Sequence, residues 1–454
     1  MAADRPLPRL PDSSELFTEL VSSALDTAKR LGASDAAAEV SESQGLSVTV
    51  RRGQLETVEQ TRDRSLDITV YVGQRRGSAS TSDFSRDALE QTVRAAWHIA
   101  QYTAEDPAAG LPDADRLARH WTDPALHHPW DLSTGAATEL ARRAEDAAFA
   151  VSRDIRNSEG ASVSAHEGRF VMGNTRGFMG GFPYSRHSMS VAPIAQKGQD
   201  MQRDHWYSSA RRASDLALPE ALGEYAARRA LSRLGARRLP TGRYPVLFEA
   251  PLALGLVGAI THALSGGSLY RKSSFLTDSL GKVVLSPHLS LLEDPEVPDG
   301  MGTSPFDDEG VATAARQVIS NGVVQGYFLS SYTARKLGMS TTGNAGGSHN
   351  LRLVSARTRP QHDLNALVRH MHRGLLVTEL MGHGINYVTG DYSRGAFGYW
   401  VDNGEIQYPV QEITIAGNLR DMLMGIQMLG SDELVRGNKC CGSMLLDAMQ
   451  IAGQ

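Results

Sequence analysis

The chain has 454 residues, a formal net charge of −5 and 41% hydrophobic residues. That length exceeds a single hydrophobic core and predicts two or three domains, while the mildly acidic balance gives no electrostatic footprint for nucleic acid or an anionic membrane. The only cysteines, Cys440 and Cys441, are adjacent, so no spaced disulfide framework exists and a reducing, cytoplasmic setting is expected. No run approaches the roughly 18–20 apolar residues of a membrane span, and the N-terminus has no apolar stretch of signal-peptide type.

Residues 1–12 read as a mobile Pro-rich lead-in. Asp12-Ser13-Ser14-Glu15 then opens a helix with Leu16, Leu20, Ala24 and Ala28 at helical spacing, and Gly32 ends it. Four short strands are expected next (AAAEVSES, LSVTVRRG, LETVEQTRD and SLDITVYVG), then a second helix from Ser85-Arg86-Asp87 to Tyr102. Residues 103–135, rich in Pro, Asp and His, read as a linker. The plan then recurs as helix, strands and helix, which suggests a duplicated unit. After Gly235–Gly242 come a buried-type strand, YPVLFEA, and a helix with Pro251 in its first turn. Short β-like runs then dominate, apart from a helix around His362–His372. Asp402-Asn403-Gly404 marks a tight hairpin turn. The pattern predicts an α+β protein. Two N-terminal helix–strand–helix segments, 1–118 and 119–238, precede a large, mostly antiparallel β-rich C-terminal domain, 239–454.

A zinc-peptidase helix needs two histidines on one face with a glutamate beside the first, so that both imidazoles reach one ion and the carboxylate serves as base. No HExxH or HExxxH occurs in the chain. Thr378-Glu379 with His383 comes close, but LLVTELMGHG reads as a strand, along which four residues span roughly 13 Å. The fragment from Val257-Gly258 to His262 lies in a helix and keeps one histidine; a lone histidine there is commonly a hydrogen-bonded core residue. His127-His128 in the linker reads as a solvated pair, and His370 and His372 lie near a helix end. Cys440 and Cys441 could bind a soft metal only with partners that are not near in sequence. No GxSxG elbow is present, Ser443 has no identifiable base, and Gly343–His349 (GNAGGSH) is not a dinucleotide loop. Val388–Gly395, containing Gly390, Asp391, Tyr392, Ser393 and Arg394, is either a polar hairpin tip or a loop exposing backbone and mixed polar groups over a groove.

The stretch ELMGHGINYVTGDYSRGAFGYWVDNGEIQYPVQEITIAGNL (Glu379–Leu419) resembles the C-terminal signature of the PmbA (TldE) subunit type in the TldD/PmbA family of cytoplasmic zinc peptidases. So do Gly266–Lys282, SPFDDEG at Ser304–Gly310 with Gly302-Thr303 ahead of it, Ser331–Asn350, and the terminus from Cys440. The resemblance implies a three-part chain that assembles with a TldD-like sister and degrades or trims unfolded peptides; maturation of a peptide antibiotic and breakdown of an antitoxin are associated roles. It further implies that the sister carries HExxxH and a later cysteine as zinc ligands. The motif would fall within Leu256–His262 here, leaving His262, with Cys441-Gly442 at the place of the ligand cysteine. The expectation is a non-catalytic partner that completes the substrate chamber, binds no cofactor itself and has zinc in the partner subunit, with Gly390–Arg394 contacting peptide. Two alternatives stay open: a metallopeptidase in its own right using His262, His383 and Cys441, or a regulatory binding protein, as the family's older association with DNA gyrase suggests.

Overall fold

The structure, a computed structural model, describes residues 6–453. The chain forms two compact units: residues up to Ser232 together with Pro305–Thr313, and Arg233–Ser304 together with the chain from Ala314 onward. Among the described residues, no helix is long and apolar enough to cross a membrane. The fold is mixed α+β, as expected from the sequence.

The first unit opens with α1 (Ser14–Arg30), whose buried residues Phe17, Val21, Ala24, Leu25 and Ala28 follow helical spacing. Two long strands follow where four short ones were expected: β1 (Asp35–Arg51) and β2 (Gln54–Val72). The sequence suggested breaks at Gln44-Gly45 and Asp63-Arg64. Both pairs instead continue an unbroken antiparallel register, Gly45 opposite Thr61 and Glu42 opposite Arg64. A strand interior tolerates glycine when cross-strand neighbours hold the ladder. β3 (Arg75–Thr81) and α2 (Arg86–Tyr102) complete this half, with Ser85 capping the helix through the Ala88 N–H. Gly77 is required by close packing, since a Cβ there would lie 2.1 Å from the Ala96 carbonyl of α2.

The second half comprises α3 (Thr134–Val151), β4 (Ile155–Asn174), β5 (Met179–Gly180), β6 (Pro183–Lys197), β7 (Asp200–Arg203), β8 (Trp206–Ala210) and α4 (Pro219–Ser232). Both halves run helix, meander, helix. They share one eight-stranded sheet, ordered β3-β2-β1-β4-β6-β7, with β5 on β4 and β8 on β6. β1 and β4 join them antiparallel, so each meander runs outward from the centre.

Two expectations for this unit need correction. The lead-in is docked from Pro8 onward, while residues 1–5 lie outside the described residues. Leu10 is buried, its N–H donates to Glu167, Gln44 donates to the Pro8 carbonyl at 2.7 Å, and Arg9 pairs with Asp131. The Pro-rich stretch 103–135 is likewise packed down through buried Leu111, Leu117, Leu126 and Leu132. His127 meets Glu167 at 2.9 Å rather than standing in solvent. Apolar residues spaced through a proline-rich segment carry little periodicity, yet each can fill a pocket.

The second unit begins with β9 (Gly242–Phe248), α5 (Ala250–Ala263) and the short α6 (Gly266–Tyr270). It continues with β10 (Leu289–Asp294), β11 (Arg316–Ser320), β12 (Val323–Val324), α7 (Ser331–Lys336) and β13 (Asn350–Ser355). Next come α8 (Leu364–Met371), β14 (Gly374–Met381), β15 (Asp391–Asp402), β16 (Glu405–Asn418) and α9 (Leu419–Met424). β17 (Ile426–Leu429), β18 (Leu434–Arg436), β19 (Lys439–Cys441) and β20 (Met444–Ala452) finish the chain. One sheet runs β16-β15-β14-β9-β20-β17 and closes into a barrel because β16 also pairs with β20. The other runs β12-β11-β10-β13-β19-β18. Pairing is antiparallel except for β9–β14 and β13–β19. The Asn403-Gly404 turn joins β15 and β16 with φ of 52° and 74°, the positive pair that a tight hairpin requires.

The glycine-rich loop Gly343–His349 is a structural knot. Glu293, 2% exposed, accepts from Arg316 Nε at 2.7 Å, Asn344 Nδ2 at 2.8 Å and the His349 N–H at 2.8 Å. Arg316 also reaches the Asn344 side-chain oxygen at 2.9 Å and the Tyr327 carbonyl at 2.9 Å. A buried ion pair persists only when its remaining polar atoms are satisfied, and the loop supplies those bonds.

Candidate functional site

Helix α5 is apolar almost all round and lies against β14 of the barrel and β19 of the other sheet. Its first free N–H, at Ala250, is taken by the Ser443 hydroxyl at 3.0 Å, and that hydroxyl in turn donates to Asp432 at 2.6 Å. Ser443 is fully buried and serves as a helix anchor rather than a nucleophile. Midway along α5, Val257 is fully buried. Next to it, a Cβ added at Gly258 would meet only Lys439 Cε, at 3.9 Å. The Lys439 ammonium donates to Asn438 at 2.9 Å, and burial lowers its pKa.

The structure places the three candidate metal ligands as follows. His262 lies exposed in the last turn of α5. His383 is exposed beyond the end of β14, which is a strand as expected; Glu379, on that strand, pairs with Arg233. Cys441 is fully buried in β19. Burial pushes its thiol pKa well up, and Cys440, Asp432 and Glu433 add to the effect. Among the described residues, no three His, Cys, Asp or Glu side chains gather to hold a metal ion.

A different set does come together. The His262 ring lies 4.1 Å from that of Tyr387, tilted by 44°, and its Nε2 faces the Ser268 hydroxyl at 3.4 Å. The Tyr387 carbonyl accepts from the Phe275 N–H at 2.7 Å, which ties the loop after β14 to the segment after α6. Burial raises the Tyr387 pKa, and the positive charge of Arg394 acts against that rise. Tyr392, 2% exposed, is pushed up to about 12 by burial, again with Arg394 opposing. Imidazole and phenol thus lie together at Tyr387, close enough to Arg394 to feel its charge.

Of the expected peptide-contacting residues, Gly390 has φ of 86°, and a Cβ there would crowd the Asn418 side chain at 3.0 Å. Asp391 accepts from Thr389 at 2.7 Å and Asn418 at 3.1 Å, bonds that lower its pKa. Asp391 and Ser393 are exposed, Arg394 is half-buried and Tyr392 is buried. Residues Asp391 to Arg394 belong to β15 and pair with β16. On the other side, the Ser393 N–H donates to the Gly384 carbonyl at 2.7 Å, and the Asp391 carbonyl accepts from Asn386 at 2.8 Å. The main chain is committed on both sides, so a ligand here meets side chains rather than a free strand edge. Tyr387 was not singled out from the sequence; the available signal was an aromatic between two glycines in the same stretch.

Three family models match in chain order: the PmbA/TldA metallopeptidase domain 1 over residues 36–100, the central domain over 127–234 and the C-terminal domain over 241–453. Metalloprotease PmbA of Escherichia coli O157:H7 is 48% identical over 441 residues, 97% of each chain. The chain belongs to the PmbA/TldD metallopeptidase family. A PmbA homolog of Haemophilus influenzae is 46% identical over 96% of each chain. The crystal structure of a Bacteroides thetaiotaomicron protein, named as a candidate modulator of DNA gyrase, superposes with a TM-score of 0.91. It is 26% identical and covers 98% of this chain and 100% of that one. The zinc that a PmbA/TldD metallopeptidase implies does not fit the residues present. Val257 and Gly258 offer no side-chain donor atom, and among the described residues no three His, Cys, Asp or Glu side chains, Cys441 included, gather to complete a zinc shell.

Proposed function

We propose that this chain is the non-catalytic subunit of a heteromeric PmbA/TldD zinc peptidase acting on unstructured peptides in the cytoplasm. A TldD-like sister would hold the zinc and the general base, and this chain would complete the substrate chamber. The observation that carries the reading is α5 itself. A buried valine and a glycine occupy the segment where a ligand histidine and a catalytic glutamate would stand, and the nearest atom to a Cβ at Gly258 would be Lys439 Cε, at 3.9 Å. Without a carboxylate at that point there is no group to take a proton from an attacking water.

The Tyr387 face supplies the work left to this subunit, which is positioning. An exposed imidazole stacked near a phenol offers an aromatic platform for a peptide side chain or peptide plane. Arg394 offers a guanidinium for a carboxylate or carbonyl. Because the neighbouring main chain is already paired, these side chains orient the peptide.

The test is zinc content and peptidase activity on an unstructured peptide, first for this chain alone and then with a TldD-like sister. The expected result is no stoichiometric zinc and no activity alone, with both appearing in the mixture. One zinc per chain with activity alone would overturn the reading and make His262, His383 and Cys441 the residues to substitute.

A further inference from the structure

The second unit holds a cavity of about 570 Å³ to which no residue of the Tyr387 face contributes. β17 runs along it, and the loop after β13, the last turn of α8 and Asp447 of β20 complete its lining. A volume of that order takes a small molecule or a few peptide residues.

The loop after β13 is fixed to β17 and the chain beyond it. The Thr358 hydroxyl donates to the Leu429 carbonyl at 2.7 Å, and the Ser431 N–H donates to the His362 carbonyl at 2.8 Å. His288 bridges the Ile426 carbonyl at 2.9 Å and the Ser355 hydroxyl at 2.8 Å, and Ser355 accepts the Arg357 N–H at 3.0 Å. Burial lowers the His288 pKa and the Arg357 charge adds to the fall, so the guanidinium lies close to this frame. Three donors on the lining are left over. The Arg357 guanidinium and the His370 ring have no hydrogen bond or ion pair among the described residues. His362 Nδ1 accepts the Arg359 N–H at 3.2 Å, which puts a proton on Nε2, and Nε2 has no partner there.

An acid stands further along β17. The Asp447 N–H donates to the Gly425 carbonyl at 2.9 Å, and a Cβ added at Gly425 would lie 3.7 Å from Asp447 Cβ. Asp447 Oδ1 accepts from Gln427 at 3.1 Å, and Oδ2 has no partner among the described residues. From Gly425, beside Asp447, to Leu429, where Thr358 docks, the strand covers roughly 10–13 Å, allowing for its irregular register at Gln427. Met424, 46% exposed, adds apolar surface to the lining.

We propose that this cavity binds a free peptide of three or four residues by its two ends, the ammonium at Asp447 and the carboxylate at Arg357, His362 and His370. An extended peptide gains about 3.3–3.6 Å per residue, so that length spans the separation. A free amino acid carries both charges on one carbon and reaches one end only. A long unstructured chain cannot bring both of its termini here, so the site takes peptides of product length and rejects substrates. No Phe, Tyr or Trp lines the cavity, which leaves a nucleotide without the ring it would stack on. Charge-assisted bonds at both ends supply the selectivity. The inference stands apart from the proposed catalytic division, since it is read on this chain alone.

The experiment is isothermal titration of the purified full chain with the tripeptide Ala-Leu-Ala, its N-acetylated form, its C-amidated form and free leucine. Either cap should weaken binding about tenfold, and leucine should bind more weakly than the tripeptide. Arg357→Gln should weaken the free tripeptide about tenfold and leave amidation with little further effect. Asp447→Asn should do the same for acetylation. Tyr387→Ala should change nothing. Arg357 and Asp447 are exposed, so thermal melts serve as the folding control. No binding at millimolar tripeptide, equal affinity for the capped forms or for leucine, or loss of binding through Tyr387→Ala in place of the cavity variants would each overturn the proposal. None of these outcomes bears on which subunit holds the zinc.

Discussion

The loop Gly343–His349 closes around a buried acid, whereas Gly382–Gly395, which also mixes glycines with polar groups, holds its acid at the surface. Glu293 is enclosed by Arg316, Asn344 and the His349 N–H, while Asp391 is exposed and bonded to Thr389 and Asn418. The first loop has spent its polar groups on the fold. The second keeps side chains in reserve around Tyr387. Glycine content marks neither role, because it reports backbone freedom. What separates the loops is where their hydrogen bonds go.

Removing Glu293 from beneath the first loop and Asp391 from the second tests that separation and carries the largest effect. Glu293→Ala leaves Arg316 inside without its carboxylate and should cost about 3–4 kcal/mol. It should be read as a lower urea midpoint with an unchanged slope. Asp391→Ala should leave the midpoint almost unmoved, because water replaces the lost bonds. Equal losses would mean that the second loop is also structural and that the Tyr387 face has no spare capacity.

Much of the architecture could be read from residue patterns. Ser85 capping, the Pro251 start of α5 and the Asn403-Gly404 turn are local signals, and the structure keeps all of them. β1 and β2 were divided because Gly45 and the Asp63-Arg64 pair look like breaks, and only the ladder across to β4 and β1 overrides them. The docking of Leu10 and the packing of the 103–135 stretch could not be read, because isolated apolar residues among prolines carry no period. The candidate site was half legible. His262 and Gly390–Arg394 were picked separately as a metal candidate and a peptide loop, and nothing in the chain spacing shows that Tyr387 sits at 4.1 Å from His262. That proximity depends on closure of the barrel and the path after α6.

The functional half of the comparison turns on Tyr387. In the complex with a TldD-like chain, Tyr387→Ala should weaken peptide binding about tenfold, the scale of one aromatic contact with its buried area. Tyr387→Phe should retain most of the affinity, since the ring rather than the hydroxyl supplies the platform. Peptide affinity measured by fluorescence anisotropy checks both. An alanine variant that binds as tightly as the parent would move the peptide path elsewhere.

The smallest effect belongs to the cysteines, and there pH gives the sign. Cys440 is pushed up to about 11, first by burial and then by Glu433, and Cys441 higher still by burial. Only the thiolate alkylates, so the rate at Cys440 should climb about tenfold per pH unit from neutrality with no plateau below its pKa. Cys441 should stay inert until the chain unfolds. Cys441→Ala removes a small buried group and should cost about 1 kcal/mol, with the zinc content of the assembled complex unchanged. Loss of zinc from the complex in that variant would instead return Cys441 to the metal, and the division of labour between the two subunits would have to be redrawn around it.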